Sequence, residues 1–154
     1  MKRMYLLLLC LLINILIIGC IEDDNQSAKV GNLILNQEQI KTVKVVKGSN
    51  EEIMTALNPS DILTLIDKVK EISVKKLSRD QDNNFMPERI VEETKLNIYF
   101  YGENNTELYG EFFIWPDGFI YVVDVNTMQA NQRTISYLSE SKYPEIYKWL
   151  NERI

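Results

Sequence analysis

The sequence predicts an α+β domain: a mainly antiparallel sheet with two amphipathic helices packed on one face. Three observations predict it. Residues 94–125 alternate apolar and polar or aromatic side chains with period two, which suits a half-buried antiparallel strand. Ile62, Leu65, Ile66 and Val69 recur at helical spacing, as do Tyr143, Ile146, Tyr147 and Leu150. Short turn signals separate these runs, leaving room only for local connections.

The elements follow in order. Gln39 to Lys47 reads as a strand, with Val43 and Val45 on one face. Lys47-Gly-Ser-Asn50 is turn chemistry, and Ile53 to Leu57 returns as the second strand of a hairpin. Asn58-Pro59 starts a helix, because Asn caps and Pro occupies a position whose N–H has no helical partner. Asp61 lies near the positive end of that helix and Lys68 and Lys70 near the negative end, as the macrodipole favours. Ser73 to Leu77 is a short strand, and Ser78 to Glu88 a mostly polar loop with Pro87. Leu96, Ile98 and Phe100 alternate with Asn97, Tyr99 and Tyr101. Gly102 to Asn105 turns the chain into Leu108–Trp115, where Leu108, Phe112 and Ile114 alternate with Tyr109, Phe113 and Trp115. Pro116-Asp-Gly118 turns it again into Phe119–Val125. These three runs form a meander, Thr134 to Leu138 adds a strand, and the last helix begins near Pro144.

The amino terminus carries a different signal. Lys2 and Arg3 precede an apolar run, Met4 to Ile18, broken only by Asn14. A charged start and an apolar run shorter than the roughly 20 residues of a membrane span describe a secretory leader. Ile17-Ile18-Gly19-Cys20 resembles the lipobox of bacterial lipoproteins. The resemblance implies cleavage after Gly19 and a thioether between Cys20 and diacylglycerol, so the membrane is a partner through the lipid. The expected organisation is a leader at 1–19, a lipidated Cys and flexible tether at 20–36, and one domain at 37–154. Sixteen flexible residues span about 20 Å, and Glu22, Asp23 and Asp24 would be repelled by anionic lipid.

Composition narrows the function classes. The 154 residues contain 17 Lys+Arg, 22 Asp+Glu, 2 Cys and no His. Without residues 1–19 the net charge is −7, and no free thiol remains once Cys20 is modified. The absence of His excludes a Ser-His-Asp or Cys-His nucleophile and His-ligated metal. The acidic balance argues against nucleic acid. The 18 Ile and 14 Asn point to an AT-rich genome, hence a low-GC Gram-positive bacterium and the outer face of its cell membrane. No metal or cofactor is expected.

Motifs for catalysis are incomplete. Ser139-Glu140-Ser141-Lys142 matches S-x-x-K but lacks the S-D-N and K-T-G partners, since Ile62 follows Ser60-Asp61 and Val43 follows Lys41-Thr42. Asp80-x-Asp82-x-Asn84 opens like a calcium loop, yet Phe85 replaces the turn glycine and Val91 the bidentate Glu. Glu92, Glu93, Glu111, Asp117 and Asp124 are the carboxylates a small envelope hydrolase would draw on. No residue is assigned a catalytic role. Nine aromatics lie between Tyr99 and Tyr121. Period two places Tyr99, Tyr101, Tyr109, Phe113 and Trp115 on one face, a platform for an envelope protein, peptide or glycan.

Ile114-Trp115, Tyr121-Val-Val123 and Ser136-Tyr137-Leu138 before a terminal helix resemble small lipoproteins of Bacillus-type bacteria, the YhfM-like group, over roughly residues 50–154. The resemblance implies no catalytic residues. The expectation is a lipid-anchored extracytoplasmic binding domain, with a carboxylate-dependent envelope hydrolase as the alternative.

Overall fold

A computed structural model describes residues 26–48, 54–89, 91–103, 105–131 and 134–154. The leader, Gly19, Cys20 and the expected start of the tether therefore lie outside the described residues, as does the tip of the first hairpin.

The strands form one eight-stranded antiparallel sheet. They are β1 (Ser27–Lys29), β2 (Thr42–Lys47), β3 (Met54–Ala56), β4 (Ser73–Lys76), β5 (Leu96–Tyr101), β6 (Leu108–Ile114), β7 (Ile120–Val123) and β8 (Ser136–Ser139), in the order β1-β4-β8-β7-β6-β5-β2-β3. The expected meander β5–β6–β7 occupies the middle. Gly118 makes its second turn possible: φ is +88° and a Cβ there would collide with the backbone nitrogens of Tyr143 and Pro144. The same turn thus carries the start of the last helix, with Tyr143 N–H donating to Gly118 O at 2.8 Å.

The helices are α1 (Val30–Leu33), α2 (Pro59–Val69), α3 (Arg79–Arg89), α4 (Val125–Asn131) and α5 (Pro144–Asn151). On one face of the sheet, α2 and α5 bury Ile62, Leu65, Val69, Ile146 and Leu150 against Val43, Val45, Ile98, Phe100, Phe112, Ile114 and Val122. The cap on α2 is as expected. Asp61 N–H donates to Asn58 Oδ1 at 2.9 Å and Pro59 fills the first turn. Arg153 closes the pair, bonding Asp61 at 3.0 Å while its guanidinium lies 4.0 Å from the Trp149 ring centre.

Three expectations are corrected. The stretch assigned to tether is built into the fold from its middle onward. Ser27–Lys29 pairs with β4, and Val30, Leu33 and Ile34 are buried in the main core. Three apolar residues in a polar segment were enough, because β4 offered an edge to pair with and the core a place for them. The loop expected at 78–88 is helix α3. Its start is a capping box: Gln81 N–H donates to Ser78 Oγ at 3.3 Å and Ser78 N–H donates to Gln81 Oε1 at 2.9 Å. Pro87 sits in the last turn, where it does less damage than at mid-helix. The run Phe119–Val125 splits, since Asp124 caps α4 by accepting from Thr127 N–H at 3.0 Å and Thr127 Oγ1 at 2.8 Å. Helices α3 and α4 then send Phe85, Met86 and Met128 to the opposite face of the sheet, against Phe113, Trp115, Tyr121 and Val123.

Candidate binding face

That second face divides into two halves. Register places Tyr99, Glu111, Val123 and Ser136 in one row across β5, β6, β7 and β8, and Asn97, Phe113, Tyr121 and Leu138 in the next. Lys44 stands opposite Tyr99 on β2, with Ala56 beyond it on β3.

Over β6–β8 the face is closed. Trp115 is fully buried and Phe113 is 9% exposed. Phe85 of α3 meets Trp115 edge-on at 5.5 Å and stacks on Tyr121 at 6.1 Å. Trp115 Nε1–H donates to Arg89 O at 3.1 Å. The Arg89 guanidinium lies 5.1 Å from the Trp115 ring centre and grips Asp117 through two bonds, of 2.9 and 3.3 Å. Burial pushes the Asp117 carboxyl up, but Arg89, the Phe119 N–H and Lys142 hold it below the usual carboxylate range. Under the first turns of α3, Tyr121 O–H lies 2.7 Å from Asp82 Oδ1 and 2.6 Å from Ser136 Oγ. Burial drives the Tyr121 phenol well above its ordinary value, so it stays protonated and works as a donor.

Over β3–β2–β5 the face is different. Tyr99 and Tyr101 are half-buried, with ring centres 6.5 Å apart, and Lys44 Nζ lies 4.9 Å from the Tyr101 ring centre. Met54 is 42% exposed on the edge strand. Among the described residues, neither hydrophobic cluster includes Lys44, Met54, Tyr99 or Tyr101. Glu111 marks the border between the halves, and burial raises its carboxyl above the ordinary carboxylate value. At the same border Asn97 is buried. It gives Nδ2–H to Gly48 O at 2.8 Å, and its Oδ1 has no donor among the described residues.

The five expected platform aromatics are therefore not one surface. Tyr99 and Tyr101 hold the open half, and Phe113 and Trp115 lie beneath α3. Tyr109 is on the opposite face altogether. Phe100 pairs with Gly110 and Tyr101 with Leu108, so Tyr109 is an extra residue in β6 and the alternation slips there. Its ring joins the main core beside Gly102, where a Cβ would approach Tyr109 Oη to 2.8 Å, and its hydroxyl reaches Glu107 at 3.1 Å and Gln39 at 3.3 Å.

The residues of the catalytic motifs are dispersed. Ser139 Oγ accepts from Ile120 N–H at 3.0 Å, whereas Lys142 bonds Asp117 at 3.4 Å. Asp80, Asp82 and Asn84 lie along α3. Asp117, Asp124 and Glu92 are engaged with Arg89, Thr127 and Arg89 respectively. Among the described residues no three His, Cys, Asp or Glu side chains are grouped to hold a metal ion, and no helix is long and apolar enough to cross a membrane. The bonds of Asp82 and Arg89 were invisible in the sequence, although Ser78-x-x-Gln81 announces the helix that carries both.

No protein family, curated protein or solved structure matches the chain.

Proposed function

We propose that this is a lipid-anchored extracytoplasmic binding domain, held on the outer face of the cell membrane through Cys20, and that it takes its ligand on the β3–β2–β5 half of the second face. The half-open sheet carries the reading. Two tyrosine rings, the Lys44 ammonium and the Glu111 carboxylate together offer stacking, a cation and an acceptor, which suits an extended peptide or a glycan of the envelope. The lipobox supports the anchor. A hydrolase finds less support, because Asp117 and Asp124 are already committed to holding the turn and the cap.

Two measurements test the parts separately. For the anchor, the amino-terminal peptide of the membrane-extracted protein should carry a diacylglyceryl mass on Cys20, and Cys20→Ser should abolish both lipid and cleavage. A chain that retains residues 1–19 unmodified contradicts it. For the face, amine-reactive crosslinking at Lys44 on intact cells should capture an envelope component, and Tyr99→Ala with Tyr101→Ala should reduce the yield at least fivefold. An unchanged yield contradicts the assignment.

A further inference from the structure

We infer that the β1–β4 edge of the sheet faces the lipid bilayer, with Lys29 and Lys75 lying on anionic headgroups; this rests on the lipid-anchor reading above. Reach limits how the domain can stand on the membrane. Lys76 N–H donates to Gln26 O at 2.9 Å, so the fold holds the chain from Gln26 onward. Only residues 21–25 separate that point from Cys20, so Cys20 and Gln26 lie at most about 22 Å apart when the link is fully extended. Eight strands make a sheet about 33 Å wide, with β1 at one edge and β3 at the other. A domain anchored at Cys20 cannot stand on its β3 edge, because β1 would then lie beyond the reach of the link.

Charge favours one of the orientations that reach allows. Ser27 pairs with Lys75 and Lys29 with Ser73, so the two lysines share one face of the edge, on adjacent strands two residues apart. Both are exposed. Lys29 Nζ donates to Glu71 O at 2.9 Å and Ser73 Oγ at 3.0 Å, two neutral groups that orient the ammonium without cancelling its charge. A basic side chain close to an anionic leaflet strengthens association about fivefold. Glu71 and Glu140 sit at the same edge, and Glu22, Asp23 and Asp24 in the link are themselves repelled by anionic lipid, so the two lysines make a local contact that orients the domain and does not anchor it. Beside the β5–β6 turn, Glu38, Glu103 and Glu107 outnumber Lys41 around a cavity of about 340 Å³. Anionic headgroups repel that end. The open half, beginning at β5, is then presented about 24 Å or more from the lipid-facing edge.

The test uses the wild-type lipidated protein reconstituted in vesicles of phosphatidylcholine, with and without about one third phosphatidylglycerol. A water-soluble amine-acylating reagent is applied and each lysine is read by mass spectrometry. Lys29 and Lys75 should label at least threefold more slowly in the anionic vesicles, Lys41 and Lys148 should not change, and about 1 M salt should erase the difference. Equal labelling of Lys29 and Lys75 in both vesicles, or slowing spread evenly over all four, overturns the docking while the anchor stands. A protein that fails to float with either vesicle and carries no lipid on Cys20 overturns both.

Discussion

The closed and open halves of the second face come from the same alternating pattern on β5–β7 yet end in opposite environments. On the closed half, Phe113, Trp115 and Tyr121 receive Phe85 and Met86 from above, and Arg89 and Asp82 fasten the helix at its two ends. On the open half, Tyr99 and Tyr101 lie beside each other, with Lys44 of β2 opposite Tyr99 and over the Tyr101 ring. A sheet face rich in aromatics is thus not a binding platform by composition. What decides is whether a helix of the same chain lands on it, and α3 and α4 land on the cluster of Phe113, Trp115, Tyr121 and Val123.

Substitutions rank the two halves. Trp115→Ala should cost about 3–5 kcal/mol, read by denaturant unfolding, because it empties a filled site under α3. Phe85→Ala removes a half-buried ring, so about 2 kcal/mol is expected, with increased acrylamide quenching of Trp115 fluorescence. Ser78→Ala breaks the capping box for about 1 kcal/mol. The same single changes on the open half should separate stability from binding. Tyr99→Ala or Tyr101→Ala should cost under about 1 kcal/mol, yet reduce capture of the envelope ligand severalfold. A loss at Tyr101 as large as that at Trp115 would erase the distinction between the halves.

The two carboxylates respond oppositely to pH. Asp117 is held low in the folded state, so its contribution is present above the ordinary Asp value and is lost as pH falls through its depressed folded value. Asp117→Asn should therefore destabilise at neutral pH, with the deficit vanishing in acid. Glu111 is raised in the folded state, so its contribution is present below the ordinary Glu value and is lost as pH rises through its raised folded value. Glu111→Gln should raise the neutral-pH melting temperature slightly and change little in acid. If both variants moved the same way with pH, the environments assigned to the border and to the Arg89 pair would be wrong.

Much of this architecture was legible in the sequence because it rests on local periodicity. The α2 stripe, the Asn58-Pro59 start and the β5–β6–β7 alternation each need only neighbours in the chain. What was hidden depends on distant partners. Ser27–Ile34 is polar enough to read as tether until β4 supplies an edge, and its few apolar residues then suffice. Helix α3 has almost no apolar stripe, and its docking relies on Phe85 and two ionic side chains whose partners lie 28 to 39 residues away. The bulge at Tyr109 moved one aromatic to the far face, a one-residue slip that alternation alone does not register. Of the expected platform, the sequence placed Tyr99 and Tyr101 and could not foresee the cover over Phe113 and Trp115.

The most direct test of the half-open face compares photo-reactive phenylalanine derivatives at positions 101 and 85 of the membrane-bound protein in intact cells. The account predicts adducts from position 101, on the open half, and none above background from position 85, whose ring is turned onto Trp115 and Tyr121. Adducts from position 85 with none from position 101 would contradict it, and would place the ligand on the α3 side of the sheet instead.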